Sequence, residues 1–481
     1  MKFWRNGLCS AVVVPTNGEE IRFLNSRRRF VYEQMADLAL QQRHPYWQRI
    51  VSNIGWLTVD RIVRLGLGVL VTVAIARHLG PENFGKLNYG MAMFALLGVC
   101  ASLGLDQVVQ RDLVKRPEER DCFLGTCMSL KTLAGAVAYL FLFLIVQQTV
   151  SDPTTRVVCS IIGLGLLVNG SFTFDNWFQS QTQAKYSVYA QNAAFVGVTV
   201  ARIVLLILGA GLLGFAWCVS AEYILALALS LILFRIVVGP ITVWRFDFAT
   251  ARRWLVDAWP LLLSGVAIIV YTRIDQIMLA HLANDHALGI YSAAVRISEV
   301  SYFVPGILAA SFFPSIVRTR ELGTEAYNIR RQHYFDLSVV LAVAIALPTT
   351  VLAGPIVHLL YGDKYYQAVP ILCALVWATL FVFTGGARQQ YLIAEGHMKF
   401  SFVATLVAAI LNVVLNIFLI PRYQGFGAAI ATLISYGLSA VFSSFFYKPT
   451  RLMGWEQLKS FDLFGASRRL FGYARNAPFA G

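Results

Sequence analysis

Seven basic side chains stand inside apolar stretches of this sequence: Arg61, Arg64, Lys131, Arg202, Arg273, Arg296 and Arg388. An ionised group at the middle of a membrane helix costs roughly 2.5–3.5 kcal/mol on insertion scales, so such groups pair together or face water. Arg61, Arg64 and Gly68 follow the i, i+3, i+7 spacing of one helical face, with Asp60 beside them. Arg273 stands two residues before Asp275, flanked by Tyr271 and Gln276, and Arg296 stands three residues before Glu299, a spacing that permits an ion pair. Arg61, Arg64, Arg273 and Arg296 form the candidate substrate-binding set, and against Asp60, Asp275 and Glu299 they leave a net charge of +1. The chemistry on offer is anion binding, with those three carboxylates as candidates for ion coupling or gating. Plainer readings stay open beside it. Arg61 and Arg64 could snorkel to headgroups, Arg296 and Glu299 could be a purely structural pair, and Arg202 could pair with Glu222 on an adjacent helix. Asp106, Asp175 and Arg388 fall near expected helix ends, where solvated boundary residues are the default, and Lys131 reads as interfacial.

Enzyme motifs are missing: there is no H-E-x-x-H, no G-x-S-x-G and no zinc spacing among the seven scattered cysteines. No catalytic residue, metal or cofactor is therefore expected. Gly80 to Leu87 imitates a phosphate-binding loop but supplies Leu87 where a Mg²⁺-binding hydroxyl is needed.

The elements that must carry these charges follow from composition. Of 481 residues, 57% are hydrophobic and 14% charged, against about 25% charged in soluble domains. Spanning about 30 Å of hydrocarbon takes about 20 helical residues. Twelve continuous apolar segments meet that length, near 53–76, 87–110, 125–147, 157–179, 187–208, 213–236, 255–280, 287–316, 335–360, 367–393, 400–420 and 425–447. Continuous rather than alternating apolar runs exclude a membrane β-barrel. The expected fold is an all-α integral membrane protein with about twelve spans in two six-helix lobes.

Orientation follows from the basic residues that lie outside the spans. Twenty-eight of the 40 Lys and Arg residues fall on the side of the termini, five on the other side and seven within spans. The positive-inside rule places both termini in the cytoplasm. The net charge of +14 thereby reads as topology, which argues against a nucleic-acid partner. The organisation expected is a cytoplasmic extension over 1–49, an N-lobe over 50–238, a cytoplasmic linker over 239–254, a C-lobe over 255–447 and a cytoplasmic tail over 448–481. The tail sets Trp455, Phe461, Phe464 and Phe471 among basic residues, as an amphipathic segment on the anionic leaflet would; a partly disordered tail is the alternative.

An internal repeat supports two like-oriented halves. Ala184-Lys185-Tyr186-Ser187 with Gly214 and Tyr223 recurs as Met398-Lys399-Phe400-Ser401 with Gly427 and Tyr436, and more weakly Gly85 and Tyr89 echo Gly289 and Tyr291. Parallel repeats of this kind mark transporters whose substrate site lies at the repeat interface.

The stretch Ala76-Arg77-His78-Leu79-Gly80-Pro81-Glu82-Asn83-Phe84-Gly85-Lys86-Leu87-Asn88-Tyr89, with Gly104-Leu105-Asp106, Arg273-Ile274-Asp275-Gln276 and Leu288-Gly289-Ile290-Tyr291, strongly resembles the polysaccharide transporter family, the Wzx-type O-antigen and lipid-linked oligosaccharide flippases of the MOP superfamily. Arg77, Gly80, Pro81 and Gly85 carry the most specific part of the motif. The resemblance implies a flippase with a cavity open alternately to each side of the bacterial inner membrane. Its cargo would be a polyprenyl-pyrophosphate-linked glycan, and its partners the bilayer and polysaccharide polymerase or assembly proteins. Guanidinium groups bind phosphate bidentately, which suits such a headgroup. Asn169, Asn176, Trp177, Gln179, Asn192, Asn412 and Asn416 could meet sugar hydroxyls or hydrogen-bond between helices. The rival readings are a multidrug or cation antiporter of the same superfamily, a membrane polymerase or ligase, and a scaffold for glycan assembly.

Overall fold

The structure is a computed structural model that describes residue 64, residues 66–321 and residues 323–476. The expected 1–49 extension, and with it Asp60 and Arg61, lies outside the described residues. Among those described, the chain is helical throughout: α1 (66–102), α2 (Asp106–Lys115), α3 (Arg120–Thr149), α4 (Pro153–Leu167), α5 (Phe172–Ser180), α6 (Ala184–Ile207), α7 (Leu212–Val237), α8 (Phe248–Leu282), α9 (Asp285–Glu299), α10 (Val304–Glu321), α11 (Thr324–Val351), α12 (Ala353–Tyr361), α13 (Ala368–Glu395), α14 (Met398–Ala440), α15 (Arg451–Ser460) and α16 (Leu463–Asn476).

Ten runs among the described residues are long and apolar enough to cross a membrane. Two of these are too long for one pass. The run from Gly66 to Lys115 has 50 residues, about 75 Å if straight at 1.5 Å per residue. It breaks at Gly80, whose φ of 73° a side chain would resist and glycine accepts. The 43-residue α14 breaks at Gln424, where φ is 47°. Each broken run covers the place of two of the twelve segments that hydropathy separates, the first of which begins outside the described residues. This is a multi-pass membrane protein.

Local chemistry sets the helix starts. The Asp152 carboxylate accepts from Thr155 N at 3.0 Å and Thr155 Oγ1 at 2.7 Å, with Pro153 in the first turn. Asp247 accepts from Thr250 N at 2.7 Å to open α8, and Asn284 accepts from Ala287 N at 2.8 Å to open α9. Each cap satisfies a donor that the first helical turn leaves orphaned. The repeated Lys185 and Lys399 both occupy the second position of a helix, α6 and α14.

The two halves meet tightly at one end. A Cβ on Gly85 would sit 1.8 Å from Asp285 O, and one on Gly289 would sit 1.8 Å from Pro81 O. The two weakly repeated glycines thus let α1 and α9 touch backbone to backbone. A second close approach lies at Gly104, where a Cβ would sit 2.6 Å from Leu262 N of α8; α2 otherwise packs on α3 and α5, and α10 packs on α11 and α13. The helix α8 bridges the halves. Its first turns meet α2, with Arg111 donating to Asp257 at 2.9 Å and Trp254 donating to Asp112 at 2.9 Å, while its body packs on α14.

The tail is ordered helix. Gln332 donates to Ser460 Oγ at 2.9 Å, Arg331 donates to Glu456, and Arg469 grips the fully buried Asp336 at 2.7 and 2.8 Å. One face of α16 remains outward, with Phe464 and Phe471 strongly exposed.

Candidate functional site

A central cavity of about 600 Å³ lies between the halves. Its walls come from α1 (Asn88, Phe94, Ser102), α2 (Asp106), α3 (Lys131), α4 (Gly165), the turn before α5 (Asn169), α7 (Tyr223), α8 (Arg273, Gln276) and α9 (Ser292, Arg296). The wall is mixed: aromatic and small apolar groups, amides, and four charged side chains. Such a lining suits a polar guest with directional groups more than a purely apolar one.

The charges are unequally compensated. Arg273 pairs with Glu299 of α9 at 3.3 Å. Lys131 is 1% exposed and donates to Asp106, which also accepts from Asn176 at 3.1 Å. Glu299 therefore serves Arg273 on the neighbouring helix and not Arg296 on its own. Among the described residues Arg296 makes no hydrogen bond or ion pair. The cavity consequently presents one guanidinium that makes no ion pair among the described residues, with a second, paired to Glu299, on the neighbouring helix.

The other expected site residues fall elsewhere. Arg64 lines a separate chamber of about 60 Å³, together with Ser171, Asp175, Gln191, Glu222, Tyr223 and Ser230. There Glu222 bridges Arg64 at 3.6 Å and Arg202 at 2.9 Å, so the expected Arg202–Glu222 pair forms and includes Arg64. Asp275 is buried between its neighbours, accepting from Gln276 N at 2.8 Å and from the Tyr291 hydroxyl. It does not border the cavity.

The motif loop seals one end. Arg77 donates to Leu359 O at 2.7 Å and His358 O at 3.3 Å, and Tyr365 donates to Ala76 O at 2.8 Å. Tyr89 meets His281 Nε2 at 2.9 Å. Gly80 supplies the turn, Pro81 the carbonyl against Gly289, and Gly85 the close approach to Asp285. Ala76, Arg77, Pro81, Gly85 and Tyr89 thus hold the two halves together at that end, while His78 and Lys86 bond within the first half.

Several residues read from sequence as boundary or interfacial groups are buried or line the cavity; Asp106, the first residue of α2, is half-exposed on the cavity wall. Besides Lys131, Asp175 is buried and accepts from Gln191 at 2.5 Å, and Arg388 is buried and donates to Ser439 O at 2.7 Å and Ser443 Oγ at 2.9 Å. Of the expected sugar-facing amides, Asn169 borders the cavity, Asn176 serves the Asp106 network, and Asn412 and Asn416 bond to each other at 3.0 Å.

Residues 50–320, more than half of the chain, match the polysaccharide biosynthesis protein family. The chain belongs to that family. Residues 260–418 also match the MatE family. The capsular polysaccharide biosynthesis protein CapF of Staphylococcus aureus is 21% identical over 83% of this chain and 99% of its own length. The probable flippase AglR of Haloferax volcanii is 31% identical over 39% of this chain and 40% of its own. Among solved structures, the lipid II flippase MurJ in an inward closed conformation superposes with a TM-score of 0.67 at 15% identity, covering 88% of this chain and 93% of that one. That likeness concerns the fold.

Proposed function

We propose that this family member, a membrane transporter of polysaccharide biosynthesis and not an enzyme, carries a polyprenyl-pyrophosphate-linked oligosaccharide across the bacterial inner membrane by alternating access. The observation that carries the reading is Arg296, a guanidinium with no hydrogen bond or ion pair among the described residues, lining the same cavity as Arg273. A pyrophosphate between them gains bidentate, charge-assisted hydrogen bonds in a partly dehydrated setting. The glycan occupies the polar wall and the polyprenyl chain stays in the bilayer.

The sealed end carries Lys86 and Asp152, and the other end carries the basic runs around Arg111 to Arg120, Arg245 to Arg253 and Arg318 to Arg331. The positive-inside rule makes that other end cytoplasmic, with both termini on that side. The conformation described then awaits cargo from the cytoplasm. Translocation requires the Gly85–Gly289 contact to part while α2 and α10 close below it.

The MatE match over 260–418 favours, as a second reading, an antiporter of organic cations. Such a guest would meet Arg296 in the cavity, while the Asp106 carboxylate is already held by Lys131.

The deciding experiment removes the gene and measures which leaflet holds lipid-linked glycan, then restores wild type, Arg296→Ala or Arg273→Ala. Glycan stranded in the cytoplasmic leaflet, rescued by wild type and poorly by Arg296→Ala, supports the reading. Normal outer-leaflet glycan in a deletion strain without a second homologue, or a change in drug resistance alone, overturns it.

A further inference from the structure

A second hollow, of about 550 Å³, opens behind α8. One face of that helix touches the first half, at Gly104 beside Ala258 and Leu262 and at Val99, which a Cβ on Gly265 would approach to 3.0 Å. By helical spacing Trp259, Leu263 and Ser264 fall on the opposite face. They line the hollow together with Phe402 and Val403 of α14 and Gln389 of α13. It is an open groove, since Trp259, Leu263, Ile268 and Val403 are each about half-exposed. Pro260, inside α8, has no N–H to give the carbonyl of Val256. Beyond the groove Tyr271 stacks on Tyr436 with 4.5 Å between ring centroids, and α8 rejoins α14 there.

The groove's hydroxyls are spent on their own helices: Ser264 donates to Pro260 O at 2.9 Å and Thr405 donates to Ser401 O at 3.0 Å. Two donors stand uncommitted at its basic end. Lys399 is exposed and makes no hydrogen bond or ion pair among the described residues, whereas Lys185, its counterpart in the repeat, lies over the Tyr186 ring at 4.9 Å. Gln389 accepts from Ser401 at 2.7 Å, while its amide hydrogens meet the Met398 sulfur at 3.8 Å, a weak acceptor. No carboxylate lines the groove among the described residues. From Trp259 to Ile268 the groove runs about 14 Å at 1.5 Å per residue, close to half of the roughly 30 Å of hydrocarbon. We propose that it binds one acidic phospholipid of the adjoining leaflet, with the phosphate on Lys399 and the Gln389 amide and an acyl chain laid between α8 and α14. An ammonium with no carboxylate beside it selects a headgroup of net negative charge over a zwitterionic one. A groove one leaflet deep fits an acyl chain rather than a long polyprenyl tail. The lipid backs the helix that presents Arg273 and Gln276 to the central cavity, so its occupancy bears on how that helix sits. Such a site does not depend on which cargo is carried.

The test titrates the delipidated full chain with phosphatidylglycerol or phosphatidylethanolamine of the same acyl composition and counts bound lipid by native mass spectrometry. One phosphatidylglycerol should bind saturably, and more tightly than phosphatidylethanolamine. Lys399→Gln should weaken phosphatidylglycerol about fivefold, the worth of one basic residue at a lipid surface, and leave phosphatidylethanolamine unchanged. Lys185→Gln should change neither. Val403→Trp should fill the groove and remove both lipids, whereas Val200→Trp, at a position as exposed on α6, should not. Equal affinity of the wild type for the two lipids overturns the proposal and needs no variant that must fold. Equal losses in Lys399→Gln and Lys185→Gln assign the effect to general surface charge, and full binding in Val403→Trp puts the lipid elsewhere; either overturns it. Displacement of phosphatidylglycerol by a lower concentration of polyprenyl phosphate gives the groove to a polyprenyl tail and likewise overturns it. Because no glycan is present, each of these failures leaves the transport reading standing.

Discussion

Gly85→Ala is the substitution that presses hardest on the proposed cycle. The new Cβ would lie 1.8 Å from Asp285 O and 2.8 Å from Asp285 C, both backbone atoms. Side-chain carbons do not approach closer than 3.0 Å, so α1 and α9 must separate by more than an ångström. No rotamer relieves a clash with main chain, which puts the penalty near the upper end of the usual 1–3 kcal/mol for overpacking. The penalty falls only on the conformation in which the sealed end is closed. A bias of about 3 kcal/mol moves a two-state equilibrium by about 150-fold. The assay is a single cysteine at Ser292, on the cavity wall, in a background lacking the native cysteines. Its reactivity with a membrane-impermeant maleimide is read from the outer face. Gly85→Ala should raise that reactivity by one to two orders of magnitude and depress transport. Gly289→Ala should do the same, because the contact is reciprocal, and the two together should be less than additive. Gly98→Ala on the same helix, whose Cβ would meet Leu166 at an ordinary 3.8 Å, is the control. Wild-type labelling in both Gly85→Ala and Gly289→Ala, with transport intact, would refute the closed-end assignment.

Three further outcomes follow from the geometry. Arg296→Lys should retain charge but lose the bidentate fork, leaving cargo transport between wild type and Arg296→Ala, whereas Arg273→Ala should also release Glu299 and lower thermal stability; equal stability in both alanine variants would contradict the pairing. Arg469→Ala strands the fully buried Asp336, which at about 3–5 kcal/mol for an orphaned buried charge should detach α16 and expose the 451–476 segment to limited proteolysis. The Thr155 hydroxyl, with Lys86 nearby, pulls the Asp152 carboxyl below its ordinary 3.8 to about 2. A group whose folded pKa is depressed stabilises above the unfolded value and loses that contribution as pH falls toward the folded one. The melting-temperature gap between wild type and Asp152→Asn should accordingly be constant above pH 4 and close between pH 4 and 2; a gap that widens there would reverse the sign.

What was legible in the sequence is what the bilayer imposes one segment at a time. Lipid demands continuous apolar runs, so all twelve crossings stand out, and the two helices that hydropathy separates at Gly80 and Gln424 are those that the backbone itself breaks. The placement of Arg273 and Arg296 on a shared cavity was readable because they lie in the first two spans of the second half. Partner choice was not readable. Spacing along one helix offered Glu299 to Arg296, but a helix packed alongside brought Arg273 to it, and no sequence interval encodes which of two cations faces a carboxylate across a groove. The pairing of Asp106 with Lys131, which was read as interfacial, and the burial of Asp175 were hidden for the same reason, since the contact between the first two spans 25 positions and arises only when α2 folds back on α3.

These two kinds of residue bear on different parts of the cycle. The glycine motif forms a contact that has no polar specificity and depends only on the absence of side chains, so it can break and reform without desolvating charge. The ion pairs at the cavity stay on single halves, Lys131 with Asp106 in the first and Arg273 with Glu299 in the second, while Arg111–Asp257 and Arg253–Asp112 join α2 to the start of α8 away from it. Had the halves been joined at the cavity by salt bridges, each turnover would have to expose and rebury ions at several kcal/mol apiece. Joining them through backbone contact and a few hydrogen bonds to carbonyls, from Arg77 and Tyr365, keeps the two conformations close in energy. The charge is then free to act on what enters the cavity.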